Sequence, residues 1–224
     1  MKPIIGILGR PGKSEVGHDS MYIHKKVSDA IIKFGGIPIV IIPPIIDNFY
    51  QHTIDNTKKL NNKEIKDYLM ILKQCNGLIC QGGDNFYDYD ILAIKYAYEN
   101  DIPLLGICLG MQTMAYTFDG EIKKMDDLSH YRPEEKHVNN VILKDTSLLK
   151  KIYGQKEIFV NSRHKFHVVK TKLEVVGYST DGIIEAIEDN SKKFFIGVEW
   201  HPESMIEYDI LTSRLFAYFI AMCK

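Results

Sequence analysis

Cysteine is scarce in this chain. Four thiols in 224 residues are too few for a disulfide-built scaffold. Cys75, Cys80, Cys108 and Cys223 contain no Cys-x-x-Cys pair, which argues against a zinc knuckle. Long apolar runs are missing too. The N-terminal run Ile4 to Leu8 spans five residues and is broken by Gly6, too short for a signal peptide and far too short for a bilayer span. Neither sign of charge is in excess: 28 Lys and Arg face 29 Asp and Glu, for a net charge of −1. That disfavours a broadly basic nucleic-acid binder, and no interleaving of basic and aromatic residues suggests a stacking platform. There is no Gly-x4-Gly-Lys-Ser/Thr phosphate loop, and Gly6 and Gly9 do not build Gly-x-Gly-x-x-Gly. The expectation is a cytoplasmic protein with reduced thiols that engages neither membrane nor nucleic acid.

What is present is an ordinary globular balance, 45% hydrophobic and 25% charged. The first half alternates two patterns. Lys2 to Leu8, Ile37 to Ile42, Leu78 to Cys80 and Pro103 to Ile107 are short apolar runs that fit buried strands. Between them, Ile23, Val27, Ala30, Ile31 and Phe34 recur at helical spacing, as do Ile65, Tyr68, Leu69 and Leu72, and a third helix is placed over Tyr89 to Glu99. Continuous apolar strands alternating with helices predict a parallel sheet covered on both faces. The second half is richer in strands: Val138 to Leu143, Glu157 to Asn161, Glu174 to Ser179, Ile183 to Glu188 and Phe194 to Glu199. Asp181-Gly182 reads as a hairpin turn, and Tyr208 to Cys223 as a C-terminal helix. No repeat or linker is visible, so residues 1–224 are taken as one α/β domain.

The strongest chemical signal is Gly106-Ile107-Cys108-Leu109-Gly110, between an apolar strand and a helix-like stretch, Met111 to Phe118. Strand, Gly-x-nucleophile-x-Gly, helix is a nucleophile elbow. Its glycines permit a sharp turn, and the following helix N-terminus is expected to favour the Cys108 thiolate. The Leu109 N–H can serve an oxyanion. A thiol nucleophile needs a base and the base an orienting acceptor. His201 ends an apolar strand, and Glu203 stands two residues on, on the same side if the chain is extended through Pro202. Gly82-Gly83, directly after another buried strand, can complete the oxyanion hole. Asn161-Ser162-Arg163-His164 offers polar groups to a substrate. His164 and His167 stand three apart, but no thiol or carboxylate joins them at a metal spacing, so no metal site is expected.

Pro103-Leu104-Leu105-Gly106-Ile107-Cys108-Leu109-Gly110-Met111-Gln112 and Gly197-Val198-Glu199-Trp200-His201-Pro202-Glu203 resemble the two signatures of class I glutamine amidotransferases. Gln81-Gly82-Gly83-Asp84, Val160-Asn161-Ser162-Arg163-His164 and Asp181-Gly182-Ile183-Ile184-Glu185-Ala186 are similar to motifs of the γ-glutamyl hydrolase branch. The likeness runs over nearly the whole chain and points to the γ-glutamyl-γ-aminobutyrate hydrolase group. It implies a flavodoxin-like three-layer sandwich with a mostly parallel central sheet. It also implies a catalytic set of Cys108, His201 and Glu203, an oxyanion hole at Gly83 and Leu109, and substrate contacts at Gly82, Gln112, Asn161, Ser162 and His164. No cofactor or metal is implied. Three departures stand out. Lys165 and Phe166 stand where that branch has His and Gln, Gln81 stands where it has Pro, and the stretch from Phe118 to His137 is shorter than in typical members.

The reading that follows is a free-standing hydrolase of small γ-glutamyl amides, working through a γ-glutamyl thioester. Two alternatives stand beside it: a glutaminase subunit that hands ammonia to a separate synthase partner, and, from another class, a catalytically silent binding module. Self-association as a homodimer is compatible with each. Specificity is expected in the loops Arg10 to Tyr22, Asp84 to Asp88 and Asp119 to His137.

Overall fold

The computed structural model describes residues 1–46 and 58–224. The first half runs β1 (Ile4–Leu8), β2 (Arg10–Lys13), β3 (Asp19–Tyr22), α1 (Lys25–Lys33), β4 (Ile37–Ile41), α2 (Asn62–Leu72), β5 (Gly77–Cys80), α3 (Asp88–Glu99), β6 (Leu104–Ile107) and α4 (Leu109–Thr117). The second runs β7 (Glu121–Lys124), β8 (Asn139–Leu143), α5 (Leu148–Tyr153), β9 (Glu157–Val160), β10 (Phe166–Lys170), β11 (Glu174–Ser179), β12 (Ile184–Glu188), β13 (Phe195–Val198) and α6 (Ile210–Met222).

Among the described residues, five strands pair in parallel in the order β4-β1-β5-β6-β13. Numbered among themselves they read 2-1-3-4-5, the flavodoxin-like doubly wound order. From β13 the sheet continues antiparallel through β12, β11, β8 and β9, with β10 and β7 branching from β12. Strand side chains alternate between the two faces. Ile5, Ile7, Ile79, Leu105, Ile107, Ile196 and Val198 pack under α1 and α6, against Val27, Ile31, Leu215, Phe216 and Phe219. Leu78, Cys80, Leu104 and Phe195 face the other way, under Tyr68 and Leu72 of α2, Ala93 and Ile94 of α3, and Met111 and Met114 of α4. Each fully buried Leu, Ile or Phe contributes about 1.5–3 kcal/mol relative to exposure, which makes these two layers the main driving force.

Several local signals explain where the elements start and stop. Asn61 caps α2: its side chain accepts from the Lys63 and Glu64 N–H groups, while Glu64 accepts from the Asn61 N–H. The left-handed Gly35 (φ +91°) follows α1, and Gly182 (φ +88°) turns β11 into β12. One strand departs from expectation. β4 is the edge of the sheet, not a buried strand, and leaves Ile37 and Val40 nearly half exposed. Among the described residues, no helix is long and apolar enough to cross a membrane.

Parallel strands deliver their carboxyl ends to one edge. There β1 runs into Gly9-Arg10, β5 into Gln81-Gly82-Gly83, β6 into Cys108 and β13 into Glu199-Trp200-His201. The order reverses between β1 and β5, where doubly wound sheets open a crevice for ligands.

Candidate active site

Cys108 links β6 to α4 with φ +52° and ψ −110°. A non-glycine residue held there costs on the order of 1–3 kcal/mol. The cost is offset by pairing: the Cys108 N–H donates to Val198 O at 2.8 Å, and its carbonyl accepts from the Gln112 N–H at 3.1 Å. The flanking glycines serve clearance, not rotation, since neither has a positive φ. A Cβ on Gly110 would lie 1.8 Å from Cys80 O, and one on Gly106 2.5 Å from Met114 Sδ. Only a bare backbone lets α4 sit this close to β5 and β6.

His201 and Glu203 come together differently from the extended pair expected. After His201 (φ −106°, ψ 82°) the chain enters a short 3-10 turn, Pro202–Ser204. The turn sets Glu203 Oε1 2.8 Å from His201 Nδ1. His201 is held at its backbone by Asn161, whose Oδ1 accepts from the His201 N–H at 2.8 Å and whose Nδ2 donates to the His201 carbonyl at 3.0 Å. Asn161 is therefore a clamp on the histidine. Ser162 Oγ donates to His130 O at 2.7 Å. Neither Asn161 nor Ser162 lines the two cavities that Cys108 lines.

The glycine pair lies between these groups. A Cβ on Gly82 would stand 3.0 Å from His201 Cε1 and 3.8 Å from Cys108 Cβ; one on Gly83 would meet Arg10 Cδ at 3.0 Å and Leu109 Cδ2 at 3.2 Å. Arg10, placed by sequence in a specificity loop, is instead buried and anchors this segment. Its Nη2 donates to Gln81 O at 2.7 Å, its Nε to Gly82 O at 3.2 Å, and its Nη1 to both oxygens of buried Asp90 at 2.7 Å. Gln81 adds a second tie, donating to Leu8 O at 3.0 Å and accepting from the His24 N–H at 2.8 Å. Sequence reasoning missed the Arg10–Asp90 pair because its partners lie 80 residues apart.

Cys108, Gly83, Asp84, Tyr131 and Arg163 line two adjoining cavities. The larger, about 530 Å³, extends past His201 and Glu203 to Tyr22, His24, Lys25 and Lys26. The smaller, about 130 Å³, runs over Leu109 and Gln112 to His164, Lys165 and Phe166. Of the expected substrate contacts, Gln112 and His164 thus reach a cavity wall. Gln112 is fixed by donating to Phe166 O at 3.1 Å and to buried Glu199.

Electrostatics overturn one expectation. Burial, with Glu199 and Glu203 nearby, pushes the Cys108 thiol well above its ordinary value, although the Leu109 N–H works the other way. The helix N-terminus does not by itself yield a resting thiolate. Glu203 moves oppositely: burial resists its charge, but His201 beside it holds the carboxyl below the usual range.

This sheet order, with a cysteine elbow and a His–Glu pair at its carboxyl edge, defines a domain of the class I glutamine amidotransferase type. The Peptidase C26 family model matches residues 3–203, and the chain belongs to that family. Among curated proteins it is similar to CTP synthase of Borreliella afzelii, 30% identical over 223 residues, covering 83% of this chain and 40% of that protein. It is also similar to the glutamine-hydrolysing GMP synthase of Francisella philomiragia, 30% identical over 141 residues, 62% of this chain and 25% of that one. The chain thus spans well under half of these relatives. Among solved structures, the glutaminase domain of Trypanosoma brucei CTPS with bound acivicin superposes with a TM-score of 0.68 at 18% identity, covering 99% of this chain and 94% of that one.

Proposed function

We propose that this chain is a cysteine-dependent glutaminase whose ammonia serves a synthase partner. The observation that carries the reading is the meeting of Cys108, the His201–Glu203 pair and Gly83 on the wall of one cavity, with Gly82 packed between His201 and Cys108. The relatives with synthase names, matched only over part of their length, favour a synthase partner over a stand-alone role.

In this proposal Cys108 Sγ attacks the γ-carbonyl carbon of the substrate. Glu203 occupies His201 Nδ1, which leaves Nε2 to take the thiol proton as the C–S bond forms. A base that removes the proton during attack suits a thiol held protonated at rest. The oxyanion is met by the N–H groups of Leu109 and Gly83, and losing one such donor costs about 100- to 1000-fold in kcat. His201 returns the proton to the leaving nitrogen, the C–N bond breaks, and a γ-glutamyl thioester remains. Water, deprotonated by His201, then releases glutamate and the free thiol. Gln112 stands in the smaller cavity as the group to contact the γ-glutamyl part, and His164, with both ring nitrogens engaged by the protein, forms part of its wall.

One observation favours a second reading, hydrolysis of γ-glutamyl amides with a larger amine, of the γ-glutamyl-γ-aminobutyrate kind. The wide cavity beside Cys108 carries Lys25, Lys26 and Arg163, which suit an amine bearing its own carboxylate. The test is glutamate release by the purified chain from glutamine and from a panel of γ-glutamyl amides, with Cys108→Ala as control. Glutamine turnover lost in the variant, and raised by a co-purifying synthase, supports the first reading. Faster turnover of a γ-glutamyl amide than of glutamine selects the second. Normal turnover by Cys108→Ala removes both.

A further inference from the structure

We propose that His130, His164 and Glu185 form a binding site for a divalent transition-metal ion of the zinc class, with the Asn139 amide as fourth donor. The site lies under the smaller cavity, and nothing in the glutaminase reading depends on it. The spacing rule applied to the sequence paired His164 with His167. The fold instead joins His164, just after β9, to His130 in the loop before β8 and to Glu185 on β12.

The distances fit a single ion. His130 Nδ1 lies 3.1 Å from His164 Nε2 and 3.2 Å from Glu185 Oε1, and His164 Nε2 lies 3.7 Å from Glu185 Oε1. Tetrahedral zinc with bonds of about 2.0–2.1 Å separates its donor atoms by roughly 3.3–3.4 Å. All three donor atoms lie within 4.8 Å of one another, and all three residues are buried.

Hydrogen bonding on the far side of each ring fixes which nitrogen is free. His164 Nδ1 is 2.8 Å from Phe166 O, an acceptor only, so that nitrogen carries a hydrogen, and in the neutral ring Nε2 presents a lone pair. His130 Nε2 is 2.9 Å from the Asp181 carboxylate, which likewise leaves a lone pair on Nδ1. A carboxylate or carbonyl behind each ligating imidazole is the usual support of a protein metal site. With both rings neutral, two lone pairs and the Glu185 carboxylate converge on one point, a set that a metal ion satisfies in place of a proton shared among the rings and Glu185. Glu185 Oε2 is buried and has no hydrogen-bond partner among the described residues, so the carboxylate has an oxygen to spare. Asn139 Nδ2 lies 2.7 Å from His130 Nδ1 and 2.8 Å from Glu185 Oε1. Turned over, the same amide presents its oxygen to the site, and an outward shift of about 0.6 Å would open its two contacts to the edge of a zinc tetrahedron. Two imidazoles with oxygen donors suit zinc or cobalt better than magnesium or calcium. A bound ion would fix the loop that carries Tyr131, which lines both cavities beside Cys108.

The experiment uses the full chain carrying Cys108→Ala, which removes a thiol able to bind zinc beside His201. Chelator-stripped protein is titrated with zinc by calorimetry and with cobalt by visible absorption. The expected result is one equivalent of zinc and a four-coordinate cobalt spectrum without thiolate bands. Asp181 is half exposed, so Asp181→Ala should fold, and it should weaken zinc by about 10- to 100-fold through loss of support behind His130. Asn139→Asp should bind zinc at least about tenfold more tightly, while its metal-free form, with two carboxylates in contact, melts at lower temperature. A misfolded variant could not show that gain. Absence of one-equivalent binding overturns the proposal and leaves a cluster held by protons alone. The same is true if affinity is unchanged in both Asp181→Ala and His130→Ala.

Discussion

Arg10→Met tests how the glycine segment beside Cys108 is held. Arg10 and Asp90 are 2% and 0% exposed, and the guanidinium makes one ion pair and two carbonyl contacts. Methionine keeps the stem's apolar volume but leaves the Asp90 charge buried, with the Tyr87 N–H at 3.0 Å as its remaining hydrogen bond. Breaking one side of a buried pair costs about 3–5 kcal/mol. Set against about 5–15 kcal/mol of total stability, that is a large share. The carbonyls of Gln81 and Gly82 also lose their donor, so the segment is left with the Gln81 side-chain tie and can shift. A displacement of about 1 Å near reacting groups costs on the order of 100-fold in rate. Adding Asp90→Leu removes the orphaned charge, and the double variant should recover most of the stability but not the rate, because nothing then holds the two carbonyls. The assays are urea unfolding at pH 7 and the rate of Cys108 modification by a glutamine-like electrophile. If Arg10→Met costs less than about 1 kcal/mol, or if the double variant regains the full modification rate, the reasoning fails.

Four further outcomes are expected. Gly110→Ala forces a Cβ to within 1.8 Å of Cys80 O, backbone that cannot turn aside; α4 must move, at the upper end of the about 1–3 kcal/mol of overpacking or beyond, and thermal unfolding together with the Cys108 modification rate reports both effects. Glu203→Gln leaves His201 Nδ1 facing an amide and should lower turnover by up to about 10⁴-fold through the wrong imidazole tautomer, with little change in KM. The same residue acts on acid stability: because its folded-state carboxyl titrates below the unfolded value, its contribution is full above the ordinary Glu range and is lost as pH falls through the folded value. Wild type should therefore lose stability on acidification more steeply than Glu203→Gln in parallel melts. Burial pushes the thiols of Cys75 to about 11 and of Cys80 and Cys223 to about 12, and Cys108 is raised as well. Iodoacetamide labelling of the ligand-free protein should keep accelerating past pH 9, and a plateau below pH 8 at Cys108 would contradict the raised thiol.

The parallel half of the fold was legible because its strands are buried on both faces and so read as unbroken apolar runs. Where burial is one-sided or absent, the signal fades. The β2–β3 hairpin is built from Arg10-Pro-Gly-Lys13 and Asp19-Ser-Met-Tyr22, with no apolar alternation to find. α5 has six residues, too few for helical periodicity, and depends on contacts from elsewhere: Ser147 caps it, and Glu188 of β12 accepts from the Leu148 and Leu149 N–H groups. β12 itself buries all five residues, including Glu185 and Glu188, each held by partners from other elements. β4 shows the converse. Its apolar composition signalled a strand, but composition alone does not distinguish an edge from a centre.

The candidate site divides along the same line. Cys108, Leu109, His201 and Glu203 belong to short motifs, because an elbow and a strand-to-turn corner are local geometries that a few residues specify. The groups that aim them are not local. Asn161 clamps His201 from 40 residues away, and Arg10 reaches the glycine segment from more than 70. Asn161 and Arg10 both stand out locally, as a substrate contact and a loop residue, but nothing in their own neighbourhoods names the partner each one holds. The His130–His164–Glu185 cluster is the extreme case, since its three donors come from three separate segments and a spacing rule meets only one of them. Strain follows the same division: the positive φ sits on Cys108 itself, while the pairings that hold it there come from β13 through Val198 and from the first turn of α4 through Gln112. A substitution that removes a reacting side chain from the motif should therefore abolish chemistry with little effect on stability. A substitution at a distant anchor should lower both together, and the comparison of Cys108→Ala with Arg10→Met puts that distinction in measurable form.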